Sequence, residues 1–210
     1  MLHFPINEIK KWDRFYRGNF INSLSGFKSV SLIGTVNSNG QPNLAVFSNI
    51  VHLGADPALI GFVNRPIEAS PHTLSNIEKT GFYSINHVQE TFLQRAHQTS
   101  AKYNVDRNEF DAVGLTAFYN EDSKVPFVAE SNIKYLLKMV EIISIKHNNT
   151  FLVIGEIIDV YLPDNILQED GFIEIEKAGS LASLGTDAYY SCEKLNRFKY
   201  AQPHKLTNQL

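Results

Sequence analysis

Two neighbouring groups of residues in this chain are suited to binding chemistry. The first is Phe47-Ser48-Asn49-Ile50, which offers apolar contact, a hydroxyl, an amide and backbone groups along one extended segment. It lies in a run of 27 residues, Ser29 to Ala55, that contains no Asp, Glu, Lys or Arg. Uncharged polar side chains inside a core need hydrogen-bond partners, which cross-strand neighbours or a bound polar ligand can supply. The second group is Asn64-Arg65-Pro66 followed by Ser70-Pro71-His72-Thr73, which reads as the start of a helix. The first turn of a helix presents unpaired N–H groups and the positive end of the macrodipole. Adding an arginine fork and two hydroxyls between Arg65 and Thr73 makes a phosphate site chemically reasonable.

A ligand with a flat polar ring at one end and a phosphate at the other suits the two groups together. Flavin mononucleotide (FMN) is the leading candidate, with FAD as the alternative. Each residue also has a plain structural reading. Ser48 and Asn49 suit cross-strand hydrogen bonding, Arg65 suits a strand end that reaches solvent, and Ser70 and Thr73 suit helix caps. Tyr189 and Tyr190 suit stacking on a ring or packing in a core or dimer contact. His97 with Gln98-Thr99-Ser100 reads as a solvated helix end or as a segment approaching a ligand, and His87 as a hydrogen-bonded structural histidine.

The elements that must position these residues are legible from periodicity. Residues 7–24 read as a helix, with Ile9, Trp12 and Tyr16 at helical spacing and Gly26 beyond the end. Val30, Leu32, Gly34 and Val36 alternate with polar positions as a strand, and Asn39-Gly40 marks a tight hairpin. A return strand over 43–51 and an apolar strand over 58–63 follow, the latter buried on both faces. A helix over 71–79, a strand over 82–86, a helix over 90–101 and a turn at 109–112 come next. Strands over 136–146 and 151–161 flank an Asn148-Asn149 turn, a short strand covers 171–176, and the last thirty residues form a packed, irregular, tyrosine-rich tail. Hairpins dominate and no βαβ rhythm appears, which favours a mainly β fold with α insertions: an antiparallel barrel, closed or partly closed.

Several function classes lack their machinery. The chain has 210 residues, a net charge of −3, 20 % charged and 43 % apolar residues, which suits one domain with a real core and no basic face for nucleic acid. No Gly-x-Gly run supports a dinucleotide fingerprint or P-loop, and no Gly-x-Ser-x-Gly elbow supports a hydrolase. The seven histidines have no metal-ligand spacing, and the lone Cys192 forms neither an internal disulfide nor a Cys-x-x-Cys pair, so no metal is expected. No apolar run spans a bilayer and no secretory signal opens the chain, so a cytoplasmic location is expected.

Eleven segments, in order, resemble the flavin reductase-like family with the FMN-binding split-barrel fold. They are Gly26–Thr35, Asn43–Asn49, Ala55–Leu59, Asn64–Pro66, His72–Ile77, Asn86-His87, Val125–Ser131, Ile154–Glu156, Asp170-Gly171, Gly185–Tyr190 and Arg197–Ala201. The resemblance spans nearly the whole chain. It implies a Greek-key split β-barrel over residues 1–210 and a homodimer with FMN near the interface. It further implies that residues 45–50 line the ring and ribityl groups and that Arg65 to Thr73 hold the phosphate. The roles it implies fall on Ser48, Asn49, Arg65, Ser70, Thr73 and, less directly, His72, and the residue reading adds Phe47, Ile50 and Asn64 to the candidate site. The activity implied is hydride transfer from NAD(P)H to bound flavin, then to free flavin or another acceptor such as a partner monooxygenase. A non-catalytic flavin carrier or sensor is the alternative.

Overall fold

The computed structural model describes residues 1–69, 71–104, 106–121 and 123–207. Along the chain run α1 (Ile6–Ile9), α2 (Arg14–Leu24), β1 (Lys28–Ser29), β2 (Ser31–Val36), β3 (Pro42–Phe47), β4 (Ile50–Ala55), β5 (Ala58–Asn64), α3 (Pro71–Thr80) and β6 (Phe82–His87). Then come α4 (Leu93–Gln98), α5 (Glu109–Val113), β7 (Ala117–Phe118), β8 (Phe127–Val128), β9 (Lys134–Ile145), β10 (Thr150–Tyr161), β11 (Ala182–Leu184) and β12 (Ala188–Tyr190). The main sheet has seven antiparallel strands in the order β3-β2-β6-β9-β10-β5-β4. The fold is mainly β, a split barrel, with β1, β11 and β12 forming a small second sheet.

Turn chemistry sets the hairpins. Asn37 Oδ1 accepts from the amides of Asn39 and Gln41, and Gly40 takes a positive φ of 79°, which closes β2 onto β3. Asn148 does the same for β9 and β10, its Oδ1 accepting from the Thr150 amide while Asn149 adopts a left-handed φ of 56°.

All six residues of β2 are buried, because it packs on both faces. Ile33 faces a cluster with Phe62, Leu74, Ile77, Tyr83, Ile85, Leu137 and Val153. Leu32 faces another with Leu44, Val88, Phe92, Phe110 and Val128. Two-sided burial explains the missing charge in the first half of the uncharged run. The second half has another cause. Strand β4 is largely exposed, with Val51 and Leu53 at 42 % and 43 %, so it is an apolar surface strand and not part of a buried hairpin.

Five expectations need correction. The helix over 7–24 is broken, because Asp13 accepts hydrogen bonds from the Phe15 and Tyr16 amides and so caps α2 afresh. The return strand over 43–51 leaves the sheet at Ser48-Asn49 and resumes as β4. Residues 171–176 form a turn with a single bridge from Ile173 to Leu167, since Gly171 at φ 84° and the Asp170 side chain bend the chain. The tail contains the β11–β12 hairpin, whose three-residue strands are too short to show alternation. The helix expected over 90–101 is shorter, with a 3-10 turn at Glu90–Phe92 before α4.

Packing is tight where the sheet meets the segment leading into β8. A Cβ on Gly34 of β2 would overlap the Pro126 carbonyl and the Ser84 hydroxyl, of which the first is main chain and cannot swing away. Gly34→Ala is therefore expected to destabilise the protein by about 1–3 kcal/mol through overpacking. A lowered urea midpoint with an unchanged m-value checks this.

Candidate functional site

A cleft of about 330 Å³ runs along the free edge of β3. Its walls are the β5–α3 connection, the start of α3, the segment after α4 from Thr99 to Tyr103, Glu109 of α5, and the β11–β12 hairpin. Strand β3 is an edge strand, paired with β2 alone among the described residues. The Leu44 amide points away from β2, where Glu109 Oε2 accepts it at 3.2 Å. Antiparallel alternation gives Val46 the same outward orientation, so its N–H and C=O face the cleft with no strand partner among the described residues.

Of the residues expected at a site, Phe47, Ser48, Asn49, Arg65, His72 and Thr73 line this one cleft. Ile50 and Asn64 do not. Ile50 opens β4 and packs against the Phe47–Phe62–Tyr83 cluster. Asn64 is fully buried, and its Nδ2 donates to the Arg65 carbonyl at 2.8 Å, so it holds the turn that carries the arginine. Ser70 lies outside the described residues.

The lining side chains differ in how far they are already engaged. Asn49 is committed to the fold, its Nδ2 donating to the Val63 carbonyl at 2.8 Å and its Oδ1 accepting the Val63 amide at 3.3 Å. In effect the side chain stands in for a strand residue where the main chain has left the sheet. Thr73 is buried, and its Oγ1 accepts from Asn43 Nδ2 at 3.4 Å, next to a Thr35–Asn76 contact of 3.0 Å. Phe47 packs edge to face on Phe62 at 5.0 Å. The Ser48 hydroxyl has no hydrogen-bond partner among the described residues. Arg65 is exposed, and among the described residues no carboxylate pairs with it.

Arg65 and the amides of His72 and Thr73 in the first turn of α3 make one end of the cleft a set of donors. Glu68 is an exposed carboxylate at the same end. That donor set suits a phosphate. The open β3 edge, bordered by Ser48 and by Tyr103 and Tyr189, suits a planar heterocycle with its own donors and acceptors.

Sequence reasoning missed Glu109, Ala101–Tyr103 and Ser183 as cleft residues. Glu109 read only as part of a helical turn, and its spacing carries no mark of a site. It is 5 % exposed. Burial raises its pKa, opposed by hydrogen bonds from its own amide and that of Leu44. Among the described residues no ion pair holds it and no His, Cys, Asp and Glu cluster has the make-up of a metal site. No described helix is long and apolar enough to cross a membrane.

The chain belongs to the flavin reductase like domain family, whose model matches residues 25–180. It is 47 % identical to a protein of Shewanella frigidimarina NCIMB 400 assigned as a flavin reductase with a split barrel domain, at a TM-score of 0.92 over 96 % of this chain and 100 % of that one. Two more distant structures share the fold. The 2-nitrobenzoate 2-nitroreductase of Pseudomonas fluorescens is 21 % identical, with a TM-score of 0.80 and 98 % of each chain covered. Nitrilotriacetate monooxygenase component B of Bacillus cereus is 20 % identical, with a TM-score of 0.80 over 93 % of this chain and 97 % of that one.

The buried carboxyl has a consequence for stability. A carboxyl whose folded-state pKa is raised holds its proton longer in the native than in the unfolded state. Stability therefore falls as pH rises from the ordinary glutamate range through the folded value. Glu109→Gln keeps an acceptor for the Leu44 amide and removes the ionisation. The variant's stability relative to wild type is expected to climb between pH 4 and pH 7, measured by denaturant melts at several pH values. Parallel curves for the two proteins would contradict it.

Proposed function

We propose that the cleft binds FMN and that the protein is an NAD(P)H-dependent flavin reductase. The observation that carries this reading is the union, in one cleft, of a sheet edge with no strand beside it and a guanidinium at a helix N-terminus with no carboxylate partner, both among the described residues. Arg65 and the first turn of α3 hold the phosphate, with Thr73 fixing the turn and His72 beside it. Ser48 and the Val46 main chain meet the ring and ribityl groups, while Phe47 and Asn49 shape the wall behind them. Bound flavin supplies two-electron hydride chemistry, so the chain needs no nucleophile of its own. Its residues bind, orient and exclude water.

The same reading includes a homodimer. Val51, Leu53, Val140, Ile143, Ile158 and Val160 are each 41–49 % exposed on β4, β9 and β10. A second copy covers such a face, since a monomer rarely leaves so much apolar surface in water. A partner monooxygenase that takes reduced flavin is the acceptor in keeping with the Bacillus neighbour's name.

Colour tests the reading. Purified protein is expected to be yellow or to take up added FMN, and to bleach anaerobically with NADH or NADPH. Yellow protein that neither reductant bleaches would instead be a flavin carrier, and protein that binds no FMN would sink both readings. A charge-assisted contact contributes roughly 1.5–3 kcal/mol, about ten- to a hundred-fold in affinity. Arg65→Ala should therefore weaken FMN much more than riboflavin, which lacks the phosphate, in a fluorescence titration. Equal losses would mean that Arg65 shapes the pocket and does not hold the phosphate.

A further inference from the structure

Tyr189 has surroundings that flavin binding alone does not explain. Strand alternation on β12 turns Tyr189 into the cleft, opposite Ser183 of β11, and turns Tyr190 onto Phe27, their rings 4.8 Å apart. The Tyr189 hydroxyl lies 2.6 Å from His97 Nδ1, and the two rings meet edge to face at 5.7 Å. His97 sits one residue from the end of α4 and is exposed. The pair thus has one end in solvent and the other in the cleft.

Charged groups stand on the elements around the pair. Arg95, on the same helix, donates to the Gly114 carbonyl and faces Glu130. Asp187 lies in the β11–β12 turn, and Lys102 and Glu109 line the cleft. Burial, with the Asp187 charge adding to it, raises the Tyr189 pKa and keeps the phenol protonated. The bond between the rings has two polarities. A neutral imidazole with a bare Nδ1 accepts the phenolic hydrogen, whereas a cationic ring donates to the phenol oxygen and frees its hydrogen to face the cleft.

We propose that Tyr189 and His97 form a proton relay from solvent to an acceptor reduced in the cleft, Tyr189 being the acid and His97 acting through it. This rests on the flavin reading, reduced flavin being the hydride donor. Hydride adds to one end of a polarised double bond, as in an α,β-unsaturated carbonyl compound, and forms a C–H bond. The π pair moves to the other end, which takes the proton from Tyr189 Oη. The phenolate regains a proton from His97 Nδ1, and the imidazole takes one from water. The acceptor gains H⁻ and H⁺, and the donor is oxidised by two electrons.

The test uses FMN-loaded protein reduced photochemically without oxygen, so that no nicotinamide is involved. Two acceptors are compared: ferricyanide, which takes electrons without a proton, and cinnamaldehyde, which needs hydride and proton together. Tyr189→Phe should slow cinnamaldehyde reduction by about 100-fold or more and leave the ferricyanide rate within about twofold. His97→Gln, which keeps a hydrogen bond but cannot pass a proton, should slow cinnamaldehyde alone and flatten its pH profile. Tyr190→Phe should change neither rate, and FMN affinity by fluorescence should hold in His97→Gln and Tyr190→Phe. Equal losses with both acceptors, no loss with either, or a wild type that reduces only ferricyanide overturns the relay. A wild type that binds no FMN overturns the flavin reading with it, a result the titration separates from the others.

Discussion

Two residues join the opposite edges of the main sheet, and the rest of the molecule depends on that link. Seven strands about 4.8 Å apart would make a flat sheet roughly 29 Å wide. Strands β3 and β4 stand at its two ends, yet only Ser48 and Asn49 separate them in sequence. Three successive Cα–Cα steps reach at most about 11 Å. The sheet must therefore curl until its edges approach. Asn49 secures the junction, since its amide pairs with Val63 in register with the Ile50–Phe62 pair that follows.

Curling also makes the cleft. One face of the sheet closes around Ile33, Phe62 and Tyr83, with α3 packed beneath β2 and β3. The outer face of β2 and β3 packs against α5 and the residues around Phe92. The β3 edge is left between these two bodies, bordered by the start of α3 on one side and by α5 and the β11–β12 hairpin on the other. Each wall is thus anchored in a core cluster. That anchoring is what a binding site needs to keep its geometry.

Much of this was legible in the sequence because the signals were local. Asn39-Gly40, Asn148-Asn149 and the alternation of β2 report backbone conformation within a few residues. Asp13 shows the limit of periodicity. The apolar spacing of Ile9, Trp12 and Tyr16 suits one helix, but a carboxylate that can cap two amides favours a fresh start. The cleft was half legible. Arg65, His72 and Thr73 stand close in sequence and close in space, whereas Glu109 meets Leu44 across 65 residues, a contact with no local trace. Asn49 and Asn64 carry the right functional groups for a ligand, and only the fold reveals that both amides are already engaged by main chain.

The Glu109–Leu44 contact also bears on solubility. A sheet edge left open for a small molecule is equally open to any extended polypeptide, including a second unfolded copy of the same chain. Leu44 to Phe47 of β3, apolar and uncharged, would form a template for such growth. A buried carboxyl seated on the Leu44 amide occupies one rung of that ladder, and α5 stands beside it as a steric stop. The helix that shapes the cleft thus also acts as a guard against strand addition, keeping the edge accessible to small molecules while hindering its use as an aggregation seed.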